Sequence, residues 1–391
     1  MVSKYHAKLL QTGNQRFSRN DICKNTKQFA DKQNKAAYLH KESDTRQRFY
    51  EQNCVLSGKK RIVQRLARVL LSIRQLPVFH PVFPPGSPRK MRKDVHLMAK
   101  TIITAALTGA VTPTGYKIPE TPQQIAEDAY NCWKLGASIV HLHMRADDGL
   151  GCMDQEKFRE TITLIRAHED CDVIINCTSS GASKKHPATD EDRMAHHREV
   201  PGIEMGTFDA GTFNWGTMGL FENTGKFLTE LASLYLEKGI KPECEIFDYG
   251  MLTNVDYFRK QGLLVDPIHY QMCMGVKGAM PATVENLEYL VRHLPSNCTW
   301  SGFGVGAGHM PLLFACLALG GHIRVGLEDN VVYGKADDGS KILATNEMLV
   351  QRAVDAVKVY GNKVATPAEA REMLGIPQLD MKQVRKDLGI A

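Results

Sequence analysis

No apolar run in this 391-residue chain approaches the roughly 20 residues needed to cross a bilayer. The longest, "MPLLFACLALGG", suits a buried helix. The ten cysteines include no C-x-x-C pair and lie scattered through a long chain without a secretory signal. That pattern excludes a small disulfide framework and a thiol redox motif, and it sets the cytoplasm as the expected compartment. The dinucleotide pattern G-x-G-x-x-G is missing from "GFGVGAGH", because Ala307 stands where the third glycine belongs. As the loop after a seventh strand, however, it would lie where many barrels hold phosphate.

Charge is uneven along the chain. Residues 1–97 hold 21 Lys and Arg against 6 Asp and Glu, whereas the remainder holds 28 against 37. The basic part lacks a sustained apolar period and ends in the Pro-rich "FHPVFPPGSPRKMRK", so 1–97 reads as a low-order extension and linker, expected to be disordered. Its one candidate element is "KKRIVQRLARVLLSI", with Ile62, Leu66, Val69, Leu70 and Ile73 at helical spacing beside Arg61, Arg65 and Arg68. Such a helix suits a membrane surface, a partner or nucleic acid, or an organelle address, although an upstream extension without a job explains it as well.

From Met98 onward, short β-rich runs alternate with helical patterns. "TIITAAL" precedes "TPQQIAEDAYNCWKLG", a helix with Thr121 as N-cap, Pro122 at the first helical position and Gly136 at its end. "SIVHLH", "DVIINC", "GIEMGTF", "ECEIFD", "IHYQMC", "CTWSGFG" and "HIRVGLE" follow as further strands. Eight such units over 98–391, with a helical C-terminal tail, predict a (β/α)₈ TIM barrel; a doubly wound open sheet is the alternative. The polar residues at strand ends, Thr108, His141, His143, Asn176, Thr178, Thr207, Glu245, Asp248, Glu328 and Asp329, would then gather at one mouth.

Within "SIVHLHMRADDG", His141 and His143 are two apart on a strand and point to one face. Alone, H-x-H reads equally as two hydrogen-bonded core histidines. Glu328 in "GGHIRVGLEDN" is the candidate third ligand, since the eighth strand closes beside the first and second. Two imidazoles and one carboxylate with an open fourth position form a catalytic zinc arrangement. The histidines of "HLPSNC" and "RMAHHREV" read as solvated helix and loop residues.

The ordered series "AALTGA", "VHLHMRADDG", "NCTSSG", "GTFDAGTFNWG", "PECEIFDYGM", "GVKGAMPATVENLEYLV", "WSGFGVG", "GGHIRVGLEDN" and "ATPAEAREMLGI" resembles the β-keto acid cleavage enzymes over residues 98–376. The resemblance implies a zinc-dependent barrel that condenses a β-keto acid with acetyl-CoA to give acetoacetate and a new acyl-CoA. It carries the zinc ligands over to His141, His143 and Glu328. Asp329, working with Arg324 and a water, takes the place of the base that removes the substrate proton. Thr178 matches a hydroxyl that assists acyl transfer, and Thr178, Gly181 and Thr207 match substrate-contacting positions. A homotetramer is implied as well; no nucleic-acid partner is expected for the barrel.

Three positions depart from the pattern. Val111 replaces a Glu, which disfavours a cationic substrate; Ser180 replaces a Gly; and Ala307 replaces an Arg in the loop expected to face CoA phosphates. The rival readings are a zinc-dependent aldolase or hydrolase that uses no CoA, and an inactive barrel carrying a nucleic-acid- or membrane-binding basic tail.

Overall fold

The computed structural model describes residues 99–180 and 183–390; the basic stretch around Ile62–Ile73 lies outside them. Eight parallel strands close a barrel in sequence order. They are β1 (Ile103–Ala106), β2 (Ile139–Leu142), β3 (Ile174–Cys177), β4 (Met205–Asp209), β5 (Lys241–Ile246), β6 (Ile268–Met274), β7 (Cys298–Gly304) and β8 (His322–Val325). Each is largely buried, and buried polar residues such as Glu243, Glu245, His269, Gln271 and Arg324 alternate with apolar ones along β5, β6 and β8.

The outer helices are α1 (Pro122–Leu135), α2 (Gln155–Ala167), α3 (Asp190–Glu199), α4 (Gly225–Lys238), α5 (Tyr249–Lys260), α6 (Val284–Val291), α7 (His309–Leu319) and α8 (Asn346–Tyr360). The start of α1 is fixed as its sequence predicts. Thr121 caps it, Gln124 completes the capping box, Pro122 occupies the first turn and Gly136 ends it. Helix α3 is different: "DEDRMAHHRE" has almost no apolar period, and its inner face is made by imidazoles. His196 and His197 are buried, not solvated as the sequence reading expects. The cause is a set of carbonyls at the end of β3. His196 Nε2 lies 2.9 Å from Thr178 O and His197 Nε2 3.3 Å from Cys177 O, so the ring nitrogens replace water there.

The N-terminal end of the barrel has an apolar floor. Ile102, Ile139, Ile174 and Met205 pack with Ala365, Ala370, Leu374 and Ile376 of the C-terminal segment, which includes α9 (Pro367–Leu374). Beside it Glu204 lies fully buried between two guanidiniums. Arg166 Nη2 reaches Oε1 at 2.9 Å, and Arg371 donates from Nε to Oε2 at 2.6 Å and from Nη2 to Oε1 at 2.9 Å. No disulfide joins the described cysteines, and no helix among the described residues is long and apolar enough to cross a membrane.

Candidate active site

The pleat of β2 turns His141 inward, and His143 follows it from the loop just above. Their rings stand edge to face with centroids 4.9 Å apart. Glu328, three residues beyond β8, brings one carboxylate oxygen to each ring: Oε2 is 3.4 Å from His141 Nε2, and Oε1 is 3.4 Å from His143 Nε2. All three ligand atoms lie within 4.8 Å of one another. Ligands held tetrahedrally at roughly 2.0–2.1 Å from one divalent ion would stand about 3.3 Å apart, so the spacing fits a metal. Glu328 Oε2 is buried without a hydrogen-bond partner, the state expected of a group reserved for a ligand. Burial pushes the His141 pKa well below its ordinary value, leaving the neutral imidazole that metal binding requires.

Two glycines make this approach possible. Gly109, at φ +80°, lies so close to Glu328 that a Cβ would overlap its Cγ. Gly326, at φ +151°, is pressed against Ala106 O in the same way. Only a residue without a side chain lets the loops after β1 and β8 meet over the ligand carboxylate.

Arg324 on β8 is surrounded by acids. Its Nε and Nη2 hold Asp329 in a two-pronged pair at 3.1 and 3.0 Å, Nη1 reaches Glu245 Oε1 at 3.3 Å, and Nη2 also lies 2.9 Å from Glu328 Oε1. Burial alone would raise the Glu328 carboxyl, but Arg324 and the two imidazoles outweigh it and hold the pKa well below the usual range. Asp329 goes the other way. Burial exceeds the pull of Arg324, and its pKa rises to about 6. Glu243, buried and bonded to Asn176 Nδ2, is raised by burial to about 7. Asp209 and Glu245 face each other in the register of β4 and β5, and burial raises both. The two carboxyls hydrogen-bond each other.

Arg145, two residues after His143, is fully buried and spends its guanidinium on oxygens of the adjoining loops. Nη2 donates to the carbonyls of Thr108 at 2.8 Å, Gly109 at 2.6 Å and Val111 at 3.3 Å, while Nη1 donates to Thr112 Oγ1 at 2.5 Å. One side chain therefore fixes the loop that rests on Glu328. Asp147 and Asp148 point away from the site and pair with Lys157 and Lys185. The loop after β3 is held by α3: Arg193 Nε donates to Ser179 O at 2.6 Å. Thr178 Oγ1 faces the cavity and donates to Ser180 Oγ at 2.9 Å. Thr207 is not on the cavity wall. Its hydroxyl accepts from Ser179 N at 2.8 Å, which makes it a support for the loop. Gly181 lies outside the described residues. Asp248 caps α5, and Thr108 donates to His143 O at 3.0 Å.

These groups surround a cavity of about 540 Å³. Its floor is polar, with His141, His143, Glu328, Asp329, Arg324 and Thr178. Above stands an apolar wall that the sequence reading did not identify: Phe213, Trp215, Phe221 and Phe247. Phe213 stacks on Phe247 at 4.7 Å and meets Phe221 at 5.4 Å. Asp209 was missed as well, although its place at the end of β4 was the available signal. Chemically, the floor can hold a metal ion through three ligands with one side open, beside a buried carboxylate oriented to act as a base.

Comparison with known proteins agrees with this geometry. Residues 100–376 match the model of the beta-keto acid cleavage enzymes. A 3-keto-5-aminohexanoate cleavage enzyme of Fusobacterium nucleatum is 39% identical over 284 residues, 72% of this chain and 99% of the relative. A 3-oxoadipate:acetyl-CoA acetyltransferase of Cupriavidus necator is 31% identical over 290 residues, 72% of this chain and 96% of the relative. The solved apo structure of ObcA superposes with a TM-score of 0.61 over 66% of this chain and 65% of that one, at 19% identity, a likeness of fold. The chain belongs to the beta-keto acid cleavage enzyme family and is an enzyme of the β-keto acid:acetyl-CoA transferase type.

Proposed function

We propose that the protein uses zinc, held by His141, His143 and Glu328, to condense a β-keto acid with acetyl-CoA, releasing acetoacetate and a new acyl-CoA. The observation that carries this reading is the convergence on one cavity of that ligand set with Asp329, which Arg324 grips through both oxygens. Zinc held by His141, His143 and Glu328 would supply Lewis acidity to the substrate. Asp329, working with a water, removes the proton between the two carbonyls, and Arg324 keeps the carboxylate oriented toward it. The carbon nucleophile attacks the thioester carbonyl of acetyl-CoA and expels the CoA thiolate. The thiolate then attacks the substrate's own keto carbon, the carbon–carbon bond breaks, and acetoacetate leaves after recovering its proton from Asp329. Thr178 and, by resemblance, Gly181 contact the transferring groups from the loop after β3. Thr207 acts one step back, by holding Ser179.

The test is acetoacetate release by the zinc-loaded protein from a panel of β-keto acids with and without acetyl-CoA. Acetoacetate that forms only with the thioester present supports the reading. Cleavage of the keto acid without acetyl-CoA would establish an aldolase or hydrolase in its place.

A further inference from the structure

We infer that the group carried on the keto carbon of the substrate is uncharged and apolar, and that Val111 with the wall of Phe213, Trp215, Phe221 and Phe247 selects it. The inference rests on the proposed reaction and specifies its substrate class. A β-keto acid whose two oxygen functions face His141, His143 and Glu328 leaves its variable end the rest of the cavity, and that space is lined mainly by apolar side chains. Val111 is about half exposed there. Its position is set by the main chain, because Arg145 holds the carbonyls of Gly109 and Val111. Across the cavity the aromatic rings are locked together: Phe213 against Phe247, and Trp215 edge-on to Phe221 at 5.7 Å. The hairpin that carries them is braced from outside by the loop after β6, where Gly278, at φ +90°, sits so close to Asn214 O that no side chain fits.

The distribution of charge favours the same occupant. Among the described residues that line the cavity, the carboxylates Asp209, Glu245, Glu328 and Asp329 all belong to the polar floor, and the aromatic wall has none. Asp209 stands beside Glu245 in the register of β4 and β5 and pairs with it. Of the permanent cations among the described lining residues, Arg324 is occupied by three carboxylates, and Lys277 is exposed with its Cβ close to Gly216. An ammonium on the substrate tail would therefore lose water at the wall and gain no partner there, and a carboxylate would meet only the solvated Lys277.

Three six-carbon acids of nearly equal size separate the possibilities: 3-oxohexanoate, 3-keto-5-aminohexanoate and 3-oxoadipate, each with saturating acetyl-CoA and the zinc-loaded full chain. The expected kcat/KM for 3-oxohexanoate exceeds that of either charged acid by about 100-fold, the discrimination typical of an apolar pocket against a polar near-isostere. Val111→Glu, at a half-exposed position that tolerates the change, should reduce the preference over the amino acid at least about tenfold with zinc content and melting temperature unchanged. A wild-type preference for the amino acid would make Asp209 the counter-charge, and a preference for 3-oxoadipate would give that role to Lys277. Either order overturns the tail assignment while leaving the reaction standing. An unaltered ratio in folded Val111→Glu overturns the role of Val111. Acetoacetate from none of the three overturns the reaction itself.

Discussion

At the N-terminal end of the barrel, Glu204 receives three hydrogen bonds from Arg166 and Arg371, two cations on one anion, and both of its oxygens are satisfied. At the opposite end the ratio is reversed: Arg324 is the single guanidinium among Glu245, Glu328 and Asp329, and Asp209 pairs with Glu245, acid to acid. Both clusters are buried, so both sets of charges have lost water. The floor cluster recovers that cost within the protein. The mouth cluster recovers it incompletely, and the deficit is a preference for an added cation at His141, His143 and Glu328. Structural ion groups close on themselves; a site that binds leaves part of its demand to the ligand.

The contrast can be broken at either end. His143→Ala should lower zinc from roughly one ion per chain to none and abolish acetoacetate formation, because it removes one of only three ligands. Full metal occupancy by elemental analysis of that variant would end the assignment. Asp329→Asn should keep zinc and lower kcat by about 1,000-fold, within the range for loss of a positioned base. Normal turnover in a purified sample would show that the proton leaves by another route.

Glu204→Gln should act on stability alone. Two buried guanidiniums left without a carboxylate cost about 3–5 kcal/mol, read as a lower denaturation midpoint, while zinc binding in the folded fraction stays intact. An unchanged midpoint would show that the floor charges are paired no better than those of the mouth. The smallest effect sharpens the comparison most. Asp209→Asn replaces one of two paired buried acids by an amide that can donate to Glu245, and should raise stability by about 1 kcal/mol, opposite in sign to the change at Glu204. A destabilised Asp209→Asn would mean that the acid pair is held better than an acid and an amide.

The eight strand-helix units were legible because parallel strands buried on both faces and amphipathic helices write distinct periods. The caps of α1 were legible residue by residue. So were His141, His143 and Glu328, since spacing on one strand and closure between β8 and β1 follow from topology. Helix α3 was not, because its buried face is imidazole bonded to carbonyls, and polarity scales read that face as solvated. The Glu204 cluster joins residues up to 167 apart in sequence, and no local pattern records such a pairing. The aromatic wall escaped for a similar reason: Phe213, Trp215 and Phe221 belong to a loop hairpin, and their meeting with Phe247 depends on the finished barrel. Arg145 binds main-chain oxygens of the loop after β1, contacts that no local pattern records.

The C-terminal segment also sets a schedule for synthesis. Ala365, Ala370, Leu374 and Ile376 are the last apolar residues to join Ile102, Ile139, Ile174 and Met205, and Arg371 is the last partner to reach Glu204. A nascent chain that has made all eight strands still has an open underside and a half-neutralised acid. Premature termination before Ile376 would therefore leave a greasy opening at the base of an otherwise finished ring, a natural mark for quality control.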